Sequence, residues 1–343
     1  MQEVEFMNIA VLGSGSWGCA LANILAQNGN DVCLWSYFEE ESKQLSRDRE
    51  NKQNLPGLIL SDRISYTSDI KTAVEGKDLV LLVTPSSVIG STAKAMAPFI
   101  KDGAIIVCAS KGFDSETQET LTETIKRYVK NAEICALSGP SHAEEVAKKM
   151  PTTLVSASEN IKVAKKVQKL FTTKYLRVYT STDILGVEIG GALKNIIALC
   201  AGISDGLGFG DNAKAAIITR GMNEIARLGT KMGADLSTFS GLTGMGDLIV
   251  TCTSMHSRNR RAGILLGQGK TAEEATKEVN MVVEGMYAAK EAYKLSKRYC
   301  VEMPITEAAY MVLFEGKSAK DAAMELMKRE QKNETDNGFV SKC

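Results

Sequence analysis

A glycine-rich loop between a short apolar strand and a helical pattern constrains this chain more than any other feature. The loop reads Gly13-Ser14-Gly15-Ser16-Trp17-Gly18, after a strand predicted at residues 7–12 and before a helix predicted at 17–28. The first glycine allows the tight turn, Gly15 lets a pyrophosphate approach the backbone, and Gly18 lets the helix pack closely on the strand. The context favours a dinucleotide-binding site, with the pyrophosphate on the free N–H groups of the helix, over a purely structural turn.

Short apolar segments alternate with helical patterns through the first half of the chain. Further strands are predicted at residues 32–35, 79–84, 104–108, 134–137, 152–156 and 176–179. Continuous apolar strands separated by helices are typical of a parallel sheet covered on both faces. We therefore expect an α/β N-terminal domain built on a Rossmann-type doubly wound sheet.

The pattern changes after Ser181, where the chain becomes almost entirely helical. Helices are predicted at residues 184–203, 211–231, 257–266, 284–298 and 318–328, and the first of them is apolar nearly all round. We therefore expect an all-α C-terminal domain. The predicted division is a dinucleotide-binding domain at 1–182, a helical substrate and catalytic domain at 183–330, and a mobile tail at 331–343.

The charge balance and the cysteine and histidine usage exclude several classes of function. Lysine plus arginine equals aspartate plus glutamate at 41 residues each, which argues against a nucleic-acid partner or a polybasic membrane surface. The eight cysteines form no C-x-x-C pair, and the two histidines, His142 and His256, offer no metal-ligand spacing, so no metal is expected. With no signal peptide and no uncharged apolar run of about 20 residues, we expect a cytoplasmic protein without membrane insertion.

The residues after the second predicted strand bear on the choice of cofactor. The ribose of NAD usually meets an acidic residue there, but this chain has Trp35-Ser36-Tyr37 and no Asp or Glu before Glu39. That absence removes one source of repulsion toward a 2′-phosphate, and the Ser36 hydroxyl could donate to it. The sequence therefore favours NADP, with NAD as the alternative.

Lys194 is the candidate proton donor, because reduction of a ketone needs an acid for the developing alkoxide. It lies in the run IGGALKNII at residues 189–197, which is otherwise fit for burial. Buried lysines are rare without a partner or a task, and desolvation lowers their pKa. Gly190 and Gly191 come one turn earlier, so we expect a ligand to approach closely there. A lysine that reaches the surface along its apolar stem is the alternative.

Four other segments are candidates for contacts with a small anionic substrate. Lys111 follows a predicted strand, at the edge where doubly wound sheets bind ligands. The turn Gly139-Pro140-Ser141-His142-Ala143 and the glycine-framed Asp247 are the second and third candidates. The fourth, Ser257-Arg258-Asn259-Arg260-Arg261, begins a predicted helix and suits a phosphate dianion. A solvated loop, simple turns and a basic helix face are the alternatives.

Together these segments resemble the bacterial NAD(P)-dependent glycerol-3-phosphate dehydrogenase family. The resemblance covers nearly all of residues 7–329, and its most specific parts include GVEIGGALKN at 186–195, DGLGFGDNAK at 205–214 and GLTGMGDL at 241–248. It implies reversible reduction of dihydroxyacetone phosphate to sn-glycerol 3-phosphate, with NADP or NAD, for glycerophospholipid synthesis. Lys194 matches the family's proton donor and acceptor.

The site residues follow from the motifs and from this resemblance. The substrate contacts that the resemblance implies are Lys111, Gly139, Ser141, Lys194, Asp247, Ser257, Arg258 and Asn259. The expected cofactor contacts are the loop glycines Gly13, Gly15 and Gly18, the ribose-side Ser36 and Tyr37, and, by resemblance, Ser16, Trp17, Lys111, Ala143, Arg258, Val282 and Glu284.

Two other functions stay open at this point. One is a related Rossmann dehydrogenase that acts on a hydroxyacyl or sugar-acid substrate, since such enzymes share the glycine loop and a helical second domain. The other is a non-catalytic NADPH sensor, which would leave the set of Lys111, Lys194 and Asp247 unexplained. The sequence does not decide whether the chain forms a homodimer.

Overall fold

A computed structural model of the chain describes residues 6–331, 333 and 334. The first five residues lie outside that part, and so does nearly all of the tail predicted at 331–343. By internal contacts the described chain divides into two units, the first holding the residues up to Ser110 together with Glu119–Ile184. The second unit holds Lys111–Gln118 together with the residues from Leu185 onward, so Lys111 belongs to the same unit as Lys194. The domain limits predicted from the sequence stay a prediction.

Eight strands form a single sheet in the first unit. They are β1 (Asn8–Leu12), β2 (Asp31–Trp35), β3 (Ile64–Thr67), β4 (Leu79–Leu82), β5 (Ile105–Cys108), β6 (Glu133–Ser138), β7 (Thr152–Ala157) and β8 (Leu176–Ser181). Their order in space is β3-β2-β1-β4-β5-β6-β7-β8. The order turns back between β1 and β4, which is the switch point where doubly wound sheets bind ligands. The predicted Rossmann-type fold is confirmed.

Helices connect these strands, and the centre of the sheet is fully buried. The helices are α1 (Ser16–Gln27), α2 (Glu39–Asp48), α3 (Ile70–Val74), α4 (Ile89–Met96), α5 (Leu121–Tyr128), α6 (Ala143–Ala147) and α7 (Ile161–Phe171). Every side chain of β4 is buried. Because successive side chains of a strand point to opposite faces, the sheet is covered on both sides there. This explains why β4 is a continuous apolar run in the sequence.

Two details of the sheet differ from the sequence-based expectation. Strand β3 was missed, because it has only four residues, lies at the edge of the sheet and carries the exposed Ser65. Strands β6 and β7 pair antiparallel, whereas all strands were expected to be parallel. Their connection contains only the five-residue helix α6, much shorter than the helix of an ordinary parallel crossover.

Helices are the regular secondary structure of the second unit in its described residues from Leu185 onward, as predicted. They are α8 (Ile184–Gly206), α9 (Asp211–Met232), α10 (Leu236–Phe239), α11 (Asp247–Thr253), α12 (Arg258–Gly267), α13 (Ala272–Val279), α14 (Glu284–Arg298), α15 (Pro304–Phe314) and α16 (Ala319–Met327). Helix α8 is long and apolar enough to cross a membrane by length and composition alone, but 83% of its most apolar window is buried inside the protein. That burial is typical of the core helix of a domain.

Small residues bring α8 and α12 into close contact. A Cβ on Gly202 of α8 would lie 2.1 Å from the carbonyl oxygen of Arg260, and a Cβ on Gly263 of α12 would lie 2.1 Å from that of Leu199. The two backbones therefore touch where larger side chains would hold them apart. This contact fixes the helix that begins beside Ser257 against the helix that carries Lys194.

Candidate active site

The glycine loop has the geometry that a bound pyrophosphate requires. Gly13 has a φ of +121°, and a Cβ there would lie 2.8 Å from the carbonyl oxygen of Val83. A Cβ on Gly18 would lie 1.8 Å from the carbonyl oxygen of Gly13, so both positions exclude larger residues. A Cβ on Gly15 would meet no atom within 4 Å, and Gly15 directly precedes α1. The open space at Gly15 and the N–H groups at the start of α1 fit a dinucleotide pyrophosphate.

The other predicted cofactor residues of this unit lie near the loop and after β2. Ser16 is buried in the first turn of α1, while Trp17 is partly buried and packs against the core. Tyr37 follows β2 and is 75% exposed. The positions are compatible with cofactor contacts, which stay predictions.

The structure places the Ser36 hydroxyl differently from the sequence-based expectation. Ser36 is buried directly after β2, and its hydroxyl donates to Oε2 of Glu41 in the first turn of α2. The hydroxyl of Ser14 donates to the same oxygen over 2.9 Å. The group that was expected to donate to a 2′-phosphate is therefore bound to a carboxylate. Glu41 was not among the predicted residues, because an acid is expected at the end of the strand and Glu41 belongs to the helix that follows.

The chain bends at Gly139 and Pro140, between β6 and the start of α6 at Ala143. Gly139 has a φ of +136°, and a Cβ there would lie 3.0 Å from the carbonyl oxygen of Thr153. The hydroxyl of Ser141 donates to the carbonyl oxygen of Gly139 over 2.9 Å, and Ala143 is buried as the first residue of α6. These facts account for the small residues structurally. Contacts of Gly139, Ser141 and Ala143 with ligands stay predictions.

Lys194 is buried in the middle of α8 at 6% exposure. Its Nζ donates to Oδ1 of Asp247 and, over 2.8 Å, to Oγ1 of Thr251. The side chain therefore does not reach the surface. Gly190, one turn earlier, was expected to let a ligand approach closely. Instead, a Cβ on Gly190 would lie 2.6 Å from the carbonyl oxygen of Thr243. Protein backbone, rather than a ligand, makes the close approach at Gly190.

Asp247 brings the two predicted lysines together. It is 1% exposed and begins α11, directly after a π-helical turn at Leu242–Gly246. Its Oδ2 accepts a hydrogen bond from Nζ of Lys111 over 2.6 Å, while Oδ1 accepts from Lys194. One buried carboxylate thus bridges two ammonium groups.

The three charges determine the protonation of the site. Burial lowers the pKa of Lys194 to about 7, an effect that Asp247 opposes and Lys111 strengthens. Burial acts to raise the pKa of Asp247, but the ammonium groups of Lys111 and Lys194 hold it below its ordinary value. A lysine that titrates near neutral pH can both give and take a proton in a reaction. The arrangement suits general acid and base catalysis.

Thr251 is a contact of Lys194 that the sequence analysis missed. Its hydroxyl also donates to the carbonyl oxygen of Asp247 over 2.6 Å. Thr251 lies one turn after Asp247 on α11, and residues four apart share a face of a helix. That spacing is the signal that could have found it once Asp247 had been identified.

Asn259 links three of the predicted segments inside the second unit. Its Nδ2 donates to Oδ1 of Asn195 over 3.0 Å, and its Oδ1 accepts from the backbone N–H of Gly285 over 2.8 Å. Asn195 follows Lys194, and Gly285 follows Glu284 at the start of α14. The amide therefore has a structural task, and its predicted contact with a substrate phosphate stays a prediction.

The start of α12 presents a partly exposed arginine beside a capped helix end. Ser257 is the N-cap, and its Oγ accepts from the backbone N–H of Arg260 over 3.2 Å. Arg258 is the first residue of the helix and is half-buried. The guanidinium of Arg260 is bound to Asp205 at 2.8 Å, and the ligand role of Arg258 stays a prediction. Val282, before α14, is 38% exposed.

Comparisons with known proteins agree with this arrangement over both units. The family models for the N-terminus and the C-terminus of NAD-dependent glycerol-3-phosphate dehydrogenase match residues 8–164 and 183–324. A relative from Fusobacterium nucleatum, glycerol-3-phosphate dehydrogenase [NAD(P)+], is 53% identical over 330 residues, covering 96% of this chain and 98% of the relative. The protein of that name from Bacillus subtilis is 50% identical, with 96% of each chain covered.

A solved structure extends the likeness to three dimensions. The glycerol-3-phosphate dehydrogenase of Coxiella burnetii is 36% identical and superposes with a TM-score of 0.92, covering 94% of this chain and 99% of that one. The resemblance seen in the sequence motifs is thereby confirmed. The chain therefore belongs to the NAD-dependent glycerol-3-phosphate dehydrogenase family.

Proposed function

We propose that this protein is an NAD(P)-dependent sn-glycerol-3-phosphate dehydrogenase that reversibly reduces dihydroxyacetone phosphate. The observation that carries the proposal is the buried ammonium of Lys194, held by Asp247 in a chain whose relatives bear that name. Burial lowers the pKa of Lys194 to about 7, which suits a group that must give and take a proton near neutral pH. A bound nicotinamide would supply the hydride, and the second unit would supply the proton.

Lys194 acts as the general acid in reduction and as the general base in oxidation. In reduction its ammonium gives a proton to the oxygen that develops negative charge at C2 of the ketone. The amine that remains is neutral, and a neutral amine is the form that burial favours. In the reverse direction this amine takes the hydroxyl proton of glycerol 3-phosphate. Asp247 and Lys111 set the orientation and the charge around Lys194.

The substrate's phosphate is assigned to the start of α12. A helix N-terminus with a guanidinium suits a phosphate dianion, because N–H groups, the helix dipole and a fixed cation act together. Ser257, Arg258 and Asn259 are the residues that we assign to it. Gly139 and Ser141 are proposed as further substrate contacts on the basis of the family resemblance alone.

The cofactor is assigned to the glycine loop and to a small set of further residues. Gly13, Gly15, Ser16, Trp17 and Gly18 would hold the pyrophosphate, and the segment after β2 would face the ribose. Further contacts proposed by family resemblance are Lys111, Ala143, Arg258, Val282 and Glu284.

The seven cysteines in the described part of the chain are free thiols, which supports the proposed cytoplasmic location. A homodimer is proposed as the oligomeric state to test first.

The test is oxidation of NADH and of NADPH by the purified protein with dihydroxyacetone phosphate. A panel of hydroxyacyl and sugar-acid substrates that lack a phosphate serves as the comparison. We expect turnover with dihydroxyacetone phosphate and only traces with the panel. Faster turnover of a non-phosphorylated substrate would identify a different dehydrogenase. Cofactor binding without any turnover would identify a sensor and contradict the proposal.

A further inference from the structure

We propose that Glu41 is the residue that discriminates between the two cofactors, and that it makes this protein prefer NAD to NADP. The inference rests on the dinucleotide site of the proposed function and departs from the NADP preference expected from the sequence. It concerns only the first unit. The argument starts from how the Glu41 side chain is held.

Three buried polar groups hold the carboxylate of Glu41. Its Oε2 accepts from the hydroxyls of Ser14 and Ser36, which are only 5% and 1% exposed. The amide Nδ2 of Asn51 donates to the carbonyl oxygen of Ser14 over 2.7 Å and lies 3.5 Å from Oε1 of Glu41. Neutral donors fix the carboxylate, and in the described part of the chain it forms no ion pair. Its negative charge therefore remains available to act on a ligand.

The place of this carboxylate is the place where dinucleotide folds recognise the ribose. Ser14 belongs to the glycine loop and Ser36 follows β2, and in such folds an acidic residue after β2 accepts from the ribose 2′-hydroxyl. Here the acid comes from the first turn of α2 and reaches back to the strand end. A carboxylate has about four acceptor positions, and Oε1 of Glu41 carries only the long contact to Asn51. It can accept from a ribose hydroxyl without losing the two serines.

A 2′-phosphate would meet unfavourable surroundings in the same place. A phosphate monoester carries a charge of about −1.5 to −2 at neutral pH and offers acceptors to a carboxylate that also only accepts. Lys43, the first cation after β2, is already paired with Glu39 at 3.0 Å and Glu40 at 3.2 Å. Tyr37 is exposed but uncharged. Binding NADP would require Ser36 to leave Glu41 and two like charges to lie close together.

The experiment measures equilibrium binding of NAD⁺ and NADP⁺ to the full-length protein by calorimetry at one fixed salt concentration, without substrate. We expect the wild type to bind NAD⁺ at least about tenfold more tightly, the size of a carboxylate–phosphate repulsion at a partly exposed site. Glu41→Gln keeps an acceptor for the serine hydroxyls. It should reduce the ratio of NAD⁺ affinity to NADP⁺ affinity about tenfold, because NADP⁺ binds more tightly. Glu75→Gln is the matched control, because it removes the same charge from an exposed position at the end of α3, away from Lys43 and its two partners.

The outcomes separate this inference from the proposed function. Equal or tighter binding of NADP⁺ by the wild type would overturn the inference even if the Glu41→Gln variant failed to fold. The inference would also be overturned if Glu41→Gln and the Glu75→Gln control showed the same ratio of NAD⁺ to NADP⁺ affinity. Preserved discrimination together with no turnover of dihydroxyacetone phosphate would support the inference and overturn only the proposed function.

Discussion

The ammonium of Lys194 donates a hydrogen bond to the carboxylate of Asp247, and both residues are almost completely buried, with exposures of 6% and 1%. Such a pair is weak support for stability, because the desolvation of two charges offsets their attraction. Removing one partner is strongly destabilising, since the other charge is then buried alone. A pair of this kind, with a third charge from Lys111, is better explained by a chemical task than by the fold.

The first prediction concerns removal of the amine. Lys194→Ala should lower kcat for reduction of dihydroxyacetone phosphate by about 10²–10⁴-fold, because the developing alkoxide loses its proton donor. Calorimetry should find cofactor binding unchanged, since Lys194 is not among the residues assigned to the cofactor. Lys194→Met fills more of the space and guards against loss of folding, and the exposed Lys290→Ala is the control. Turnover near the wild-type rate in a folded variant would remove Lys194 from the chemistry.

The second prediction concerns the dependence of activity on pH. Reduction needs protonated Lys194, so kcat/KM for dihydroxyacetone phosphate should fall as the pH rises through about 7. Oxidation of glycerol 3-phosphate needs the neutral amine and should rise through the same range. The limb of each pH profile near pH 7, measured at constant ionic strength, should therefore fall with pH for reduction and rise for oxidation. Limbs that both fall or both rise would contradict the assignment of Lys194 as both acid and base.

Two charge substitutions should displace these limbs in opposite directions. Lys111→Met removes a cation that lowers the pKa of Lys194, so the limb should move to higher pH. Asp247→Asn removes the anion that raises it, so the limb should move to lower pH. A merely structural role for either residue would change the rate without moving the limb. If the pH profiles of the Lys111→Met and Asp247→Asn variants moved in the same direction as each other, the electrostatic account would be contradicted.

The fold and the charged residues of the site could be foreseen because their signals are local. The glycine loop between strand and helix, and the lysine inside an apolar helix, each follow from a short stretch of sequence. Contacts made by folding could not be foreseen. Ser36 lies at the predicted strand end, but its partner Glu41 is supplied by a helix, and only the structure brings the two together. The antiparallel pairing of β6 and β7 likewise leaves no mark in the apolar pattern of either strand.

The third prediction tests the contact that the sequence analysis missed. Thr251→Val keeps the shape of the side chain but removes the oxygen that accepts from Lys194 at 2.8 Å. Loss of one hydrogen bond to a charged group is worth about 1.5–3 kcal/mol, so kcat/KM should fall roughly 10- to 100-fold. Thr251→Ser retains the hydroxyl and should restore most of the activity. A loss in the Ser variant as large as the loss in the Val variant would contradict the role assigned to the hydroxyl, because Ser retains it.

The fourth prediction separates two glycines of the same loop. Gly18→Ala should destabilise the protein strongly, because its Cβ would lie 1.8 Å from the carbonyl oxygen of Gly13. Gly15→Ala should leave the melting temperature nearly unchanged, because its Cβ would meet no protein atom within 4 Å. It should nevertheless weaken binding of NAD⁺, since that space is the one assigned to the pyrophosphate. Undiminished binding by a stable Gly15→Ala variant would place the cofactor elsewhere.

The fifth prediction concerns Glu224, a buried carboxyl outside the active site that caps α15. It accepts from the backbone N–H groups of Ile305 and Thr306 at 2.6 and 3.1 Å, and burial raises its pKa to about 7 from 4.5. Between those two pH values the folded state holds more protons than the unfolded state, so stability should fall as the pH rises from 4.5 to 7. Glu224→Gln loses one acceptor, which should lower the free energy of unfolding by about 1–3 kcal/mol at pH 5, and it cannot titrate. The difference in the free energy of unfolding between the wild type and the variant, measured by urea unfolding, should therefore become smaller toward pH 8. A difference that stays constant or grows over this range would contradict the raised pKa of Glu224.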